Sequence, residues 1–121
     1  MPKPKSNIEK RKSQRIYCCL PIKYKEPGSS SFRKGIACQD ISGGGLGITL
    51  QHALKVKDKI EVILYLDGEP DPINAICKVI WCRQNENKKF RAGLKFVKVK
   101  DHQRFLVYLC EKIIDLSLEA P

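Results

Sequence analysis

The sequence predicts a domain dominated by β-structure: a six-stranded antiparallel β-barrel, preceded by a flexible basic N-terminal arm and followed by one C-terminal amphipathic α-helix. Two observations support this fold class. Apolar residues alternate with polar ones in six short segments separated by turn-like stretches, which is typical of an antiparallel sandwich or small barrel. Near the C-terminus the apolar residues recur at three and four instead, which is typical of a helix. With 121 residues, 42% of them hydrophobic, the chain suits one domain with a real core.

The predicted barrel covers about residues 16–97. Its first strand places apolar residues at every second position, namely Ile16, Cys18, Leu20, Ile22 and Tyr24. Loops follow from composition, because prolines, glycines, serines and asparagines collect in EPGSSS, DGEPDP and QNENKK. The six strands are expected over residues 16–24, 32–41, 46–50, 59–66, 73–83 and 90–96.

The predicted helix covers about residues 101–117. Asp101 is a suitable N-cap, and apolar residues recur at helical spacing from Phe105 onward. We expect this apolar stripe to cover an open side of the barrel, and a partner-binding helix is the alternative. Residues 1–10 contain two prolines and many charges without periodicity, so they are predicted to form the flexible arm, with the domain over residues 11–121.

Basic residues are concentrated at the N-terminus. The chain has 23 Lys+Arg and 13 Asp+Glu, a net charge of +10, and residues 1–15 hold six of the basic residues and one acid. The positive electrostatic potential of such a segment attracts phosphate, whether from nucleic acid, a nucleotide or an anionic lipid. The alternative is a solvated tail that aids solubility.

The sequence also argues against several classes of protein. No apolar run approaches the roughly 20 residues that cross a bilayer, and no signal peptide is recognisable, so a soluble cytoplasmic protein is expected. The six cysteines form no CxxC pair and lie away from both histidines, which favours small buried hydrophobes over a zinc site. The glycine cluster fits neither a P-loop nor a dinucleotide-binding motif, and no common catalytic arrangement is present. We therefore expect no enzyme, no metal and no cofactor.

Two short motifs are suited to a ligand that carries phosphate and guanine. Arg11 and Arg15 form R-x-x-x-R just before the first strand, and guanidinium makes paired hydrogen bonds to phosphate or to the O6/N7 edge of guanine. Asp40, Ser42 and Gly45 form D-x-S-x-x-G within CQDISGGGLGITL. A carboxylate accepts hydrogen bonds from the N1–H and N2–H₂ edge of guanine, and glycines let the backbone approach a ligand closely. The structural alternative for the second motif is a serine-capped turn.

The two motifs, in this order, resemble those of the PilZ family, small β-barrel receptors for the bacterial second messenger cyclic di-GMP. RKSQRIYCCLPIKYK resembles the opening motif and first strand of the family, and CQDISGGGLGITL resembles its second motif. AICKVIWCR and RAGLKFVKVKDHQRFLVYL resemble the late strands and closing helix, so the resemblance covers nearly the whole chain. It implies a split barrel of the PilZ type that binds cyclic di-GMP and passes the signal to a partner protein controlling motility, biofilm formation or exopolysaccharide.

The resemblance also implies which residues bind the ligand. Arg11 and Arg15 would hold its phosphates and guanine faces, while Asp40 and Ser42 would take guanine edges. A basic residue at position 10 would favour a stacked pair of ligand molecules over a single one. The implied ligand-binding set is Lys10, Arg11, Arg15, Asp40, Ser42, Gly43, Gly44, Gly45 and Trp81.

Other interpretations stay open on the sequence alone. Trp81 either borders the site or, as its alternation with Val79 indicates, packs in the core. A small nucleic-acid-binding barrel fits the charge, but nine Phe, Trp and Tyr residues offer few stacking platforms. A PilZ-type adaptor that binds no nucleotide is a further alternative. We expect a monomer whose partners are cyclic di-GMP and an unidentified downstream protein.

Overall fold

The fold is taken from a computed structural model that describes residues 14–119. The predicted arm over residues 1–10, with Lys10, and the first arginine of the R-x-x-x-R motif, Arg11, lie outside the described residues.

The described chain forms eight strands and one C-terminal helix. Their bounds are β1 (Ile16–Leu20), β2 (Ile22–Lys25), β3 (Arg33–Lys34), β4 (Ala37–Ile41), β5 (Gly45–Leu50), β6 (Lys59–Leu64), β7 (Ile73–Gln84), β8 (Phe90–Val99) and α1 (His102–Glu119).

The predicted β-fold with a closing helix is confirmed, but the strand count of six is wrong. The first predicted strand divides into β1 and β2 at Pro21, since proline has no N–H to offer a neighbouring strand. The second divides into β3 and β4 around Gly35 and Ile36. There the backbone changes partners: the Gly35 N–H donates to the Ile22 carbonyl at 2.9 Å, and the Ile36 N–H donates to the Thr49 carbonyl at 2.8 Å.

All strands belong to one antiparallel sheet in the order β1-β4-β5-β8-β7-β6-β2-β3. Because β1 and β2 are joined covalently through Pro21 yet lie near opposite ends of this order, the sheet curls round on itself. The curled sheet therefore has an inner face, which holds the core, and an outer face.

The core consists of alternate residues of the strands together with one side of α1. In β6, for example, Ile60, Val62 and Leu64 are buried between less buried neighbours, as the alternation predicts. The helix contributes Phe105, whose ring packs edge-on against Phe96 with centroids 5.3 Å apart.

The apolar stripe predicted for the helix is only partly buried. Leu109 packs in the core, whereas Leu106 and Ile114 are exposed. The described helix packs chiefly along β1, so a narrow line of its surface is covered. Tyr108, which the spacing did not single out, is buried, and its hydroxyl donates to the Asp67 carboxylate.

The six cysteines are free thiols in different environments. Cys38 and Cys77 are fully buried, which agrees with the role of small hydrophobes, and burial raises the pKa of Cys77 to about 12. Cys19 and Cys110 are exposed. Among residues 14–119, no helix combines the length and the apolar composition that a membrane span requires.

Candidate functional site

A row of five residues crosses five neighbouring strands on the outer face of the sheet. The register pairs Tyr17 of β1 with Asp40 of β4, Asp40 with Gly47 of β5, Gly47 with Gly93 of β8, and Gly93 with Trp81 of β7. Two adjacent glycines thus lie between a carboxylate and an indole ring. The row forms a shallow floor with polar and aromatic walls.

Irregularities in β4 and β7 place the two walls on this face. Between Cys38 and Asp40 the register shifts by one residue, so Cys38 points into the core and Asp40 points outward, although simple alternation puts them on the same side. A register shift between Val79 and Trp81 likewise leaves Val79 in the core and turns Trp81 outward. Bulges of this kind commonly redirect a side chain next to a functional site.

Trp81 therefore lies on the outer face and not in the core, contrary to its alternation with Val79. Its half-buried ring lies over Gly93, and the guanidinium of Arg83 lies 4.6 Å from the ring centroid. After the bulge it is Cys82 that packs against the core.

Asp40 is the centre of a small cluster of charges. Its carboxylate forms an ion pair with Arg15, and its second oxygen lies 3.7 Å from Nη2 of Arg91. The Asp40 side chain is only 10% exposed, while that of Arg15 is 58% exposed. Nε of Arg91 is buried and has no hydrogen-bond partner among the described residues. The exposed guanidinium of Arg15 is therefore the member of the cluster that is accessible to an added acceptor.

The two glycines of the row are required by the side chains that lie on them. A Cβ on Gly47 would overlap the Asp40 carboxylate, with its carbon 2.8 Å away. A Cβ on Gly93 would overlap the Trp81 ring, coming within 2.6 Å of Cε2. Any residue other than glycine would displace one wall of the site.

Ser42 forms the serine-capped turn that the sequence left as an alternative. Its hydroxyl oxygen accepts from the N–H groups of Gly44 and Gly45 at 3.2 and 3.3 Å, and its own N–H donates to the Gly45 carbonyl at 3.0 Å. The hydroxyl is thus engaged in shaping the turn. This use of Ser42 requires no ligand.

The three consecutive glycines have different surroundings. A Cβ on Gly45 would overlap the carbonyl of Leu94, so glycine is needed there for the close approach of β5 and β8. Around Gly43 a Cβ would meet nothing within 4 Å, and around Gly44 only Ser42 Oγ at 3.9 Å. Neither has a left-handed φ, so the space in front of the turn, and not backbone conformation, distinguishes these two positions.

The row, the turn and the charge cluster enclose an open cleft of about 570 Å³. This size is in the range of small-molecule sites. Its base is glycine backbone, its polar groups include three cations and one carboxylate, and its rings are Tyr17 and Trp81. Such a cleft is suited to a flat ligand that carries both hydrogen-bond donors and negative charge. The cations are Arg15, Arg91 and Lys95.

The structure brings most of the predicted site residues together. Those that line the cleft are Arg15, Asp40, Ser42, Gly44, Gly45 and Trp81. Gly43 instead lines a small groove between the turn and α1. Lys10 and Arg11 lie outside the described residues, so their place in the site stays a prediction.

Eight residues of the cleft were missed by the sequence analysis: Tyr17, Gly47, Arg91, Gly93 and Lys95, together with the aliphatic Leu46, Ile80 and Leu94. A signal for two of them exists, because an isolated glycine inside a strand pattern often marks a close approach of another group. GLGITL and RAGLKF each contain such a glycine.

Among the described side chains, no group of three His, Cys, Asp or Glu could hold a metal ion.

This chain belongs to the PilZ domain family: the family model matches residues 9–117, which covers both motifs, the curled sheet and most of α1. No curated protein matches the chain.

Two solved structures have a similar fold. One is the Bacillus subtilis inhibitor of motility MotI/DgrA, with a TM-score of 0.71, 17% identity and coverage of 87% of this chain and 52% of that one. The other is the PilZ domain of CeSA from a cellulose synthesizing bacterium, with a TM-score of 0.56, 20% identity and coverage of 87% and 99%. The chain thus spans about half the length of the first structure and nearly all of the second.

Proposed function

We propose that this PilZ domain is a receptor for cyclic di-GMP, which binds in the cleft above Gly47 and Gly93. The observation that carries the proposal is the meeting of Arg15 and Asp40, which lie 25 residues apart in sequence, at the edge of a glycine-floored cleft. The ligand is a dianion with two guanines. It offers the anionic and planar groups for which the cleft has cations and rings.

Each part of the ligand has a suitable partner. A carboxylate has about four lone-pair positions, so Asp40 can accept from guanine N1–H and N2–H₂ while it stays close to Arg91. Arg15 is mostly exposed and can turn from Asp40 towards a phosphate or a guanine face. Trp81 offers a ring for stacking, and the turn at Gly44 leaves room for a bulky purine.

The signal would arise when the N-terminal segment is drawn onto the barrel. Lys10 and Arg11 are close in sequence to Arg15, so we expect both to contact a ligand that Arg15 holds. Fixing a residue costs about 1–2 kcal/mol, and several charge-assisted hydrogen bonds are needed to offset that cost. The reshaped surface would change the affinity of a partner protein.

The two similar structures suggest outputs for that signal. One is named an inhibitor of motility and the other comes from a cellulose synthesizing bacterium, so control of motility or of exopolysaccharide, and with it biofilm formation, is our proposal for the downstream pathway. The proposal also includes a cytoplasmic, monomeric receptor without enzymatic activity.

Titration calorimetry with cyclic di-GMP tests the binding step. We expect Arg15→Ala and Asp40→Asn to weaken binding by about 10- to 100-fold, since each removes a charge-assisted contact. Lys34→Ala is the matched control, because Lys34 is exposed on β3 and does not line the cleft. Thermal unfolding of each variant shows that the fold is retained.

Three outcomes would contradict the proposal. Unchanged affinity in Arg15→Ala would remove Arg15 from the site. If cyclic di-GMP gave neither a calorimetric signal nor amide shifts with the wild type, an adaptor that binds no nucleotide would be favoured. The Arg15–Asp40 ion pair would then be a fixed structural contact. Tight binding of an oligonucleotide that cyclic di-GMP does not displace would favour the nucleic-acid-binding barrel.

A further inference from the structure

Three lysines stand side by side on the outer face of the sheet, next to the candidate ligand site. The register pairs Lys59 of β6 with Lys78 of β7, and Lys78 with Lys95 of β8. Lys95 in turn pairs with Gly45 of the D-x-S-x-x-G motif. We call Lys59, Lys78 and Lys95 the lysine row.

This arrangement is unfavourable for the isolated domain. Like charges directly opposite each other on neighbouring strands destabilise a sheet. Among the described side chains, no carboxylate lies within ion-pair distance of any of the three. Glu61, one pair further along β6, is engaged by Lys25 at 3.3 Å. The row therefore presents three uncompensated charges.

Exposed aliphatic side chains flank the centre of the row. Ile76 and Ile80 lie two residues before and after Lys78 on β7, and they are 38% and 46% exposed. The surface thus alternates isoleucine, lysine and isoleucine along the strand, while it repeats lysine across the strands. It has the apolar and charged parts of a protein-docking surface.

We propose that the lysine row is the docking surface for an acidic amphipathic helix of a partner protein, lying across strands β6, β7 and β8. Neighbouring strands are about 4.8 Å apart, and side chains one turn apart on a helix have Cβ atoms about 5–6 Å apart. Carboxylates at every fourth position of such a helix therefore match the lysines one to one. Alternate side chains of an acidic strand, roughly 6.6 Å apart, match them less well.

The flanking isoleucines favour a polypeptide over other polyanions. Aliphatic residues of an amphipathic helix can pack on Ile76 and Ile80, and phosphates cannot. Single-stranded nucleic acid is held by aromatic stacking platforms, and the residues that flank Lys78 along its strand are aliphatic. The surface shares Lys95 and Ile80 with the cleft, whereas Lys59, Lys78 and Ile76 lie outside it. The inference goes beyond the proposed nucleotide binding, since docking here does not require the ligand.

The test uses an Ala-based helical peptide with glutamates at every fourth position on one face and leucines beside them. A matched peptide carries glutamine at those positions. We expect amide shifts in β6, β7 and β8 with the glutamate peptide, weakened by salt and absent with the glutamine peptide. In the double variant Lys59→Gln/Lys78→Gln we expect peptide affinity to fall about 5- to 10-fold, the loss for two exposed charge pairs.

Controls separate this surface from the nucleotide site and from general charge. Lys95 is left in place because it lines the cleft. Lys34→Gln/Lys55→Gln changes the net charge equally, at exposed positions outside the row, and we expect it to bind the peptide like the wild type. Lys59→Gln/Lys78→Gln is expected to keep its cyclic di-GMP affinity and to unfold at no lower temperature, because a repulsion has been removed.

Two results would overturn the inference. One is equal peptide affinity in the row variant and in the charge-matched control. The other is row-dependent binding of phosphatidylglycerol–phosphatidylcholine vesicles or of a single-stranded oligonucleotide, with no shifts from the glutamate peptide. A failure of cyclic di-GMP binding alone would leave the peptide result intact and would contradict only the nucleotide proposal.

Discussion

Replacing Gly47 by alanine should dislodge Asp40 and thereby disrupt the candidate site from beneath. The new methyl group would overlap the carboxylate, and the Asp40 side chain is too enclosed to move aside without leaving its partners. Asp40 would lose its ion pair with Arg15 and its approach to Arg91. Loss of partners by a mostly buried charged group costs about 1–3 kcal/mol, so we expect Gly47→Ala to destabilise the domain by this amount.

A double-mutant cycle measures whether Asp40 is the cause. In an Asp40→Ala background the obstructing carboxylate is gone, and alanine is favoured over glycine in a strand interior by roughly 0.5–1 kcal/mol. Gly47→Ala should then be neutral or slightly stabilising, which gives a coupling energy of about 1–4 kcal/mol between the two positions. Urea unfolding of the four proteins supplies the free energies. An equal cost of Gly47→Ala in both backgrounds would refute this explanation.

Two further predictions concern the glycine turn and the helix. Gly44→Ala should change the free energy of unfolding by less than about 0.5 kcal/mol, since the added Cβ meets only Ser42 Oγ at 3.9 Å. It should nevertheless weaken cyclic di-GMP binding in calorimetry, because Gly44 lines the cleft. Unaltered affinity would place the ligand elsewhere. The hydrogen bond from the Tyr108 hydroxyl, followed by that from Lys112, lowers the pKa of Asp67. A lowered folded-state pKa contributes stability that is present above the unfolded value of about 3.9 and is lost as the pH falls through the folded value. Asp67→Asn should therefore lower the free energy of unfolding by about 0.5 kcal/mol at pH 7, after allowance for solvent screening. As the pH falls below about 4, the variant should lose less of its stability than the wild type does. Parallel plots of unfolding free energy against pH for the two proteins would contradict this.

The alternation of apolar residues was sufficient to predict the sheet, because burial on one face of a strand leaves a period of two in the sequence. The strand breaks at Pro21 and Gly35 were not predicted. Proline within a strand pattern is a local signal for the first break, but the apolar alternation continues through Pro21 and was followed instead. The break at Gly35 is an exchange of hydrogen-bonding partner between distant strands, and local composition holds little information on it. For the same reason β3, which has two residues, was merged with β4.

In the candidate site, the motif residues were predicted and their orientation was not. Asp40 and Trp81 reach the outer face through bulges, and a single extra residue in a pair depends on the register of the partner strand. Arg91 belongs to neither sequence motif, and it approaches Asp40 only because β4, β5 and β8 are neighbours in the assembled sheet. The exposed half of the helical stripe was also not foreseeable, since the spacing alone does not tell how much of a helix a curved sheet can cover.

Strand β1 is hydrogen-bonded to β4 alone within the described sheet, and it begins one residue after Arg15. An edge strand of this kind opens more readily than its neighbours. A molecule that contacts both Arg15 and the Asp40 carboxylate adds an interaction between β1 and β4 at the end of β1 that opens first. The rate at which the β1 amides exchange with deuterium should therefore report how fully the cleft is occupied, even when the rest of the domain exchanges unchanged.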